Sequence, residues 1–70
     1  MSDIDRFIKL DDFLKIRGVA ETGGHAKMMI QGGEVKVNDQ VETRRGKKLR
    51  TGDKVSIHDQ ELIMDPSDFD

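Results

Sequence analysis

Seventy residues allow one small domain, and 34% hydrophobic side chains with three Phe and neither Trp nor Tyr leave it a thin, aliphatic core. The absence of cysteine excludes a disulfide framework, a thiolate metal site and a cysteine nucleophile. The total charge of −2 argues against nucleic acid, but residues 13–54 hold ten bases against five acids, whereas residues 1–12 hold two bases and four acids and residues 59–70 hold five acids and no base.

Along the chain, Ile4 to Lys9 carries Phe7 and Ile8 and predicts a short strand. Leu10, Phe13, Leu14 and Arg17 then follow helical spacing, with Asp11 and Asp12 suited to the first turn, Arg17 to the last and Gly18 to the stop. A second helix is announced by Thr22, an N-cap residue, and ends at Gly32-Gly33. Ala26, Met29 and Ile30 share its apolar face, and Gly24, Lys27, Met28 and Gln31 share the opposite one.

From Glu34 the period changes to two. Val35 and Val37 alternate with Lys36, Asn38-Asp39 marks a turn, and Val41 follows. The polar run 43–48 separates this hairpin from Leu49, and Thr51-Gly52-Asp53 is another turn. Val55 and Ile57 alternate with Lys54, Ser56 and His58, Asp59-Gln60 turns the chain, and 61–64 forms the last strand. Pro66 ends it, leaving a frayed acidic tail. The expected architecture is α+β: two short helices packed on one face of a small, mostly antiparallel β-sheet. One domain spans 1–70, with its core at 8–64 and the tail at 65–70. No apolar run reaches the ~20 residues that span a bilayer, and the N-terminus has no signal-peptide pattern. A soluble, cytoplasmic monomer is expected.

Two constellations point to phosphate. Thr22-Gly23-Gly24-His25-Ala26-Lys27 opens a helix whose first amides are unpaired, glycines there permit close backbone approach, and Lys27 adds charge one turn in. Taken alone, the same residues also read as a helix cap with loop glycines. Arg44, Arg45, Lys47 and Lys48 surround Gly46 with no interleaved carboxylate. Such a run suits phosphates and exposed bases, or else a solvated loop. Lys36 extends a basic surface on the polar side of the hairpin.

Catalysis and cofactors find little support. His25 and His58 lie in different elements without paired ligand spacing, so no metal site is expected. Ser2, Ser56 and Ser67 have no nucleophile context, and no phosphate loop or calcium loop is present. The expectation is a non-enzyme with no cofactor and no small-molecule substrate.

The linear order of these features resembles the RNA-binding domain first seen in ribosomal small-subunit protein four, the α-L motif. The matching segments are Ile8-Lys9-Leu10-Asp11-Asp12-Phe13-Leu14-Lys15 and Glu21-Thr22-Gly23-Gly24-His25-Ala26-Lys27-Met28-Met29-Ile30. They continue with Gly33-Glu34-Val35-Lys36-Val37-Asn38-Asp39 and Lys48-Leu49-Arg50-Thr51-Gly52-Asp53-Lys54-Val55. The Gly-Gly-x-Ala-Lys helix start and the Arg-Arg-Gly-Lys-Lys-Leu loop are similar to stand-alone bacterial members placed in ribosome maturation. The resemblance implies binding of structured RNA, ribosomal RNA or an assembling ribosomal particle, through Thr22, Gly24, His25, Lys27, Gln31, Lys36, Arg44, Arg45, Lys47 and Lys48, with Lys9 and Lys15 flanking. Where many members carry Ser-Arg at the helix start, this chain has Thr22-Gly23 and so lacks one arginine contact to phosphate, a loss that Lys27 and the basic loop could offset. The competing class is a protein-interaction adaptor that presents the same basic face to an acidic partner.

Overall fold

The computed structural model describes residues 6–69, with side chains to residue 68. Ile4 and Asp5 of the expected first strand, and Asp70 of the tail, lie outside the described residues. Strand β1 (Ile8–Lys9) runs directly into helix α1 (Leu10–Ile16), and helix α2 (Gly23–Gln31) follows. Strands β2 (Val35–Val37), β3 (Gln40–Val41), β4 (Lys48–Leu49), β5 (Lys54–Ile57) and β6 (Gln60–Ile63) complete the chain, with a 3-10 turn at Pro66–Phe69. The class is the expected α+β. The strands form two antiparallel sheets instead of one: a ribbon β1-β4 and a four-stranded sheet β3-β2-β5-β6.

Helix α1 buries Leu10, Phe13 and Leu14, and α2 buries Ala26, Met29 and Ile30, as their spacing requires. Val35, Val37, Val55 and Ile57 project from β2 and β5 into the same cluster, and Leu49 enters it from the ribbon. Among the described residues no polar or charged residue is buried as a whole, and the core cluster is apolar throughout. No helix among them is long and apolar enough to cross a membrane.

Gly18 ends α1 with a left-handed backbone (φ +74°), donating its amide to the Lys15 carbonyl while Val19 and Ala20 both donate to Leu14. The β2-β3 turn takes the left-handed geometry expected of Asn38 and Asp39 (φ 51° and 72°). Asn38 also acts as a clamp. Its amide oxygen accepts from Lys54 N–H at 3.0 Å, and its Nδ2 donates to Asp53 at 3.2 Å.

Three expectations need correction. The last hairpin turns at His58-Asp59, not Asp59-Gln60: His58 adopts φ +54°, so Gln60 is free to pair with Ile57. Lys48, assigned to the loop, starts β4, because Leu49 must point inward opposite Ile8. The tail is docked, not frayed, over its described part. Arg17 Nε and Nη2 each donate to the Asp68 carboxylate at 2.8 Å, and Nη2 also donates to the Ile63 carbonyl at 2.7 Å. The same guanidinium lies 5.1 Å from the Phe13 ring centroid. Arg17, the C-cap of α1, therefore binds the C-terminal 3-10 turn to the helix, a use that its expected place in the last helical turn does not reveal.

The hydrogen bonds from Arg17 hold the Asp68 carboxyl below the usual carboxylate range. The contribution is complete above the unfolded side chain's value, about pH 4, and is lost as pH falls through the lowered folded value. Asp68→Asn should cost about 1 kcal/mol in chemical denaturation at neutral pH, the partly exposed Arg17 moderating the loss. The variant's stability should also fall less steeply with acid than the wild type's. A variant that matches the wild type both at neutral pH and in acid would mean that the tail contact does not stabilise the fold.

Candidate nucleic-acid interface

Thr22 caps α2 as expected, its hydroxyl accepting from the His25 amide at 3.0 Å. One of the four amides between Thr22 and His25 is thus already used inside the protein. The Gly23 and Gly24 amides lie in the first helical turn, where no intrahelical acceptor exists. Their surroundings are open. A Cβ built on Gly23 would meet nothing within 4 Å, and one on Gly24 would meet only the Thr22 hydroxyl at 3.9 Å. The fold therefore does not require glycine at either position, although each lowers helix propensity by up to about 1 kcal/mol relative to Ala. His25 accepts from the Glu21 amide through Nδ1 at 3.3 Å, which in the neutral ring leaves Nε2 as an outward donor. Lys27, Met28 and Gln31 continue the exposed stripe from Gly24, Met28 being 73% exposed.

The basic loop is fastened by its backbone. Leu10 N–H donates to the Lys47 carbonyl at 2.8 Å, and Asp11 N–H donates to the Arg45 carbonyl at 3.1 Å. These bonds satisfy the first amides of α1, and the Asp12 amide donates to the Asp11 carboxylate at 2.8 Å. The start of α1 is thereby closed to an outside anion. With its carbonyls turned toward α1, the loop leaves Arg44, Arg45 and Lys48 exposed and Lys47 half-buried.

Arg44 differs from its neighbours. Although no acid interrupts the run, Glu42 folds onto it: Arg44 Nε and Nη2 reach the Glu42 carboxylate at 3.1 and 3.4 Å, and the Arg44 amide donates to it at 3.1 Å. The side-chain bond to Arg44 lowers the Glu42 carboxyl below its ordinary range. Lys15 meets Asp12 at 3.7 Å, a weak exposed pair. Among the described residues Lys9, Lys27, Lys36, Arg45, Lys47 and Lys48 make no ion pair.

Of the expected contact residues, Thr22, Gly24, His25, Lys27 and Gln31 fall together at the start and along the outer stripe of α2. Arg44, Arg45, Lys47 and Lys48 fall together on the loop and β4, and Lys9 stands opposite Lys48 across the ribbon. Lys9 and Lys15 share a shallow groove with Phe7 and Ile16. Lys36 is placed elsewhere. It lies on the outer face of the four-stranded sheet, in a depression lined by Glu34, Asp39, Asp59 and Glu61 and by no residue of the basic loop. Two residues that the sequence does not single out, Phe7 and Arg50, join Lys48 at the ribbon. Their signal is a period of two, Phe7/Lys9 and Lys48/Arg50, which acquires meaning only once β1 is known to pair with β4.

A family model described as "S4 domain" matches residues 3–64. Over 50 residues, 71% of this chain, the sequence is 48% identical to a Bacillus subtilis (strain 168) protein named "Probable ribosome maturation protein RlbA", 70% of which is covered. Over 50 residues it is also 45% identical to the Escherichia coli (strain K12) "Putative RNA-binding protein YbcJ", covering 71% of each chain.

The geometry at the two glycines yields a stability test of opposite signs. Gly24→Ala should raise stability by about 0.5 kcal/mol, since the backbone is helical and the space is open. Gly18→Ala should lower it by about 1 kcal/mol, since the left-handed backbone disfavours a Cβ even where space is free. Thermal melts of the two variants beside the wild type decide this. A destabilising Gly24→Ala would show that glycine at that position serves the fold.

Proposed function

This chain belongs to the S4-domain family, and we propose that it binds structured RNA without catalysing a reaction on it. The observation that carries this is the basic loop fastened to the start of α1, with Arg45, Lys47 and Lys48 outside any ion pair among the described residues. A loop fixed before binding loses little conformational entropy when it meets an anionic surface. The Gly23 and Gly24 amides with Lys27 would hold one phosphate group, and the loop cations another. His25 Nε2 and Gln31 would add hydrogen bonds to the RNA backbone or sugar.

Ribosomal RNA or an assembling ribosomal particle is the target we favour, supported by the name of the B. subtilis relative. Recognition through phosphates would read the shape of a folded RNA more than its base edges, and would weaken with salt. Lys36 is left out of the binding face because its neighbours are carboxylates. Arg44 contributes less than its loop neighbours, since an RNA phosphate must compete with Glu42 for its guanidinium. A catalytic role finds no support in the placement of the imidazoles: both are exposed, His25 beside a backbone amide and His58 3.0 Å from Glu34.

The test is equilibrium binding to a structured ribosomal RNA fragment across a salt series. Replacing Arg45, Lys47 and Lys48 together by Ala should weaken binding and flatten the salt dependence, the slope falling by roughly one for each phosphate no longer neutralised. Lys36→Ala should leave both unchanged. Equal and weak binding by wild type and triple variant at low salt would reduce the loop to a solvated surface.

A further inference from the structure

The ribbon β1-β4 carries Phe7, Lys9 and Arg50, which the phosphate-binding face does not use, beside Lys48, which it shares with that face. Its register pairs Ile8 with Leu49 and Lys9 with Lys48. Ile8 and Leu49 turn toward the core, Leu49 being wholly buried. The alternate positions Phe7, Lys9, Lys48 and Arg50 therefore stand on the outer side. There Lys48 Nζ lies 4.8 Å from the centroid of the Phe7 ring and the Arg50 guanidinium carbon 5.9 Å from it. Arg50 is itself positioned, its amide donating to Asp53 at 2.7 Å and its Nη1 to the Arg6 carbonyl at 3.2 Å.

Phe7 nonetheless remains 39% exposed, whereas Phe13 is fully buried. Beside it runs the groove that also contains Lys9, Lys15 and Ile16, with Ile16 54% exposed. Among the described residues, the two carboxylates at its border are engaged, Asp12 with Lys15 and Asp68 with Arg17. An oriented aromatic ring, an exposed aliphatic neighbour and several surrounding cations match a ligand that is flat, apolar on its faces and anionic along its chain. A nucleotide has this combination, and its base is available for stacking only where it is unpaired.

We propose that Phe7 is a stacking site for an unpaired base in a single-stranded stretch of RNA, with Lys9, Lys48 and Arg50 holding the flanking phosphates. The site rests on the RNA-binding function proposed above and extends it: a shape-reading face on the loop and α2, and an adjoining reader of single-stranded RNA on the ribbon that shares Lys48 with it.

The two can be tested separately with a blunt hairpin RNA and the same hairpin carrying a single-stranded adenine tail. The full-length wild type should bind the tailed hairpin about tenfold more tightly than the blunt one, the order of one base–aromatic stack. Phe7→Leu, which keeps apolar bulk but removes the ring, should lose that preference and bind the blunt hairpin as before. Phe7→Trp introduces the chain's one tryptophan. It should keep the preference, and its indole emission should be quenched by the tailed hairpin and not by the blunt one. A tail preference that survives Phe7→Leu, or a Phe7→Trp emission indifferent to saturating tailed hairpin, overturns the stacking site and leaves the ribbon open to an acidic protein surface. Equal binding of both hairpins by the wild type also overturns it, while the RNA-binding function stands. Wild type that binds neither hairpin overturns both.

Discussion

Two backbone hydrogen bonds, from the amides of Leu10 and Asp11 to the carbonyls of Lys47 and Arg45, connect the interior of this protein to its candidate binding surface. Helix α1 begins immediately after β1 with no side-chain cap, so its first amides need acceptors from elsewhere in the chain. The basic loop supplies them. The same bonds turn the loop's carbonyls inward and its cationic side chains outward. Leu49, buried just beyond the loop, fixes the other end of this arrangement. A requirement of helix termination thus also determines where the positive charge is displayed.

The acidic total charge is compatible with this because the carboxylates are distributed by neighbour. Asp68 is paired with Arg17, Asp39 and Glu61 with Lys54, Glu42 with Arg44, and Glu34 lies beside His58. Lys54 and Asp39 reinforce one another, the side-chain hydrogen bond raising the ammonium and lowering the carboxyl. Much of the acidity lies on the outer sheet face and the docked C-terminal turn. Lys27, Arg45, Lys47 and Lys48 are left outside these pairs. A net charge is a poor guide to a surface when opposite charges are segregated over distances comparable to the screening length, about 8–10 Å at ordinary salt.

Periodicity carries most of what the sequence reveals. Leu10, Phe13, Leu14, Ala26, Met29, Ile30, Val35, Val37, Val55 and Ile57 can be assigned to the core by spacing, and all are buried. The Thr22 cap and the Asn38-Asp39 turn are likewise readable, because local chemistry determines both. Ala20 and Met64 are not, since neither lies in a regular element and their burial depends on contacts between distant segments. The candidate surface divides in the same way. Its α2 stripe is a helical face, readable from residues 24–31, whereas the Glu42–Arg44 pair, the displacement of Lys36 to an acidic face and the Phe7–Lys48–Arg50 cluster all depend on the chain's return path.

If the proposed function holds, RNA meets the start of α2 and the fastened loop, and not the outer face of the four-stranded sheet. Amide chemical-shift mapping of the isotope-labelled protein, titrated with a structured ribosomal RNA fragment, distinguishes the two faces in one experiment. The largest changes are expected at Gly23, Gly24, Lys27 and residues 44–48, with Lys36, Ser56 and Glu61 little affected. Changes concentrated at Lys36, Ser56 and Glu61, with the loop and the start of α2 unmoved, would contradict it.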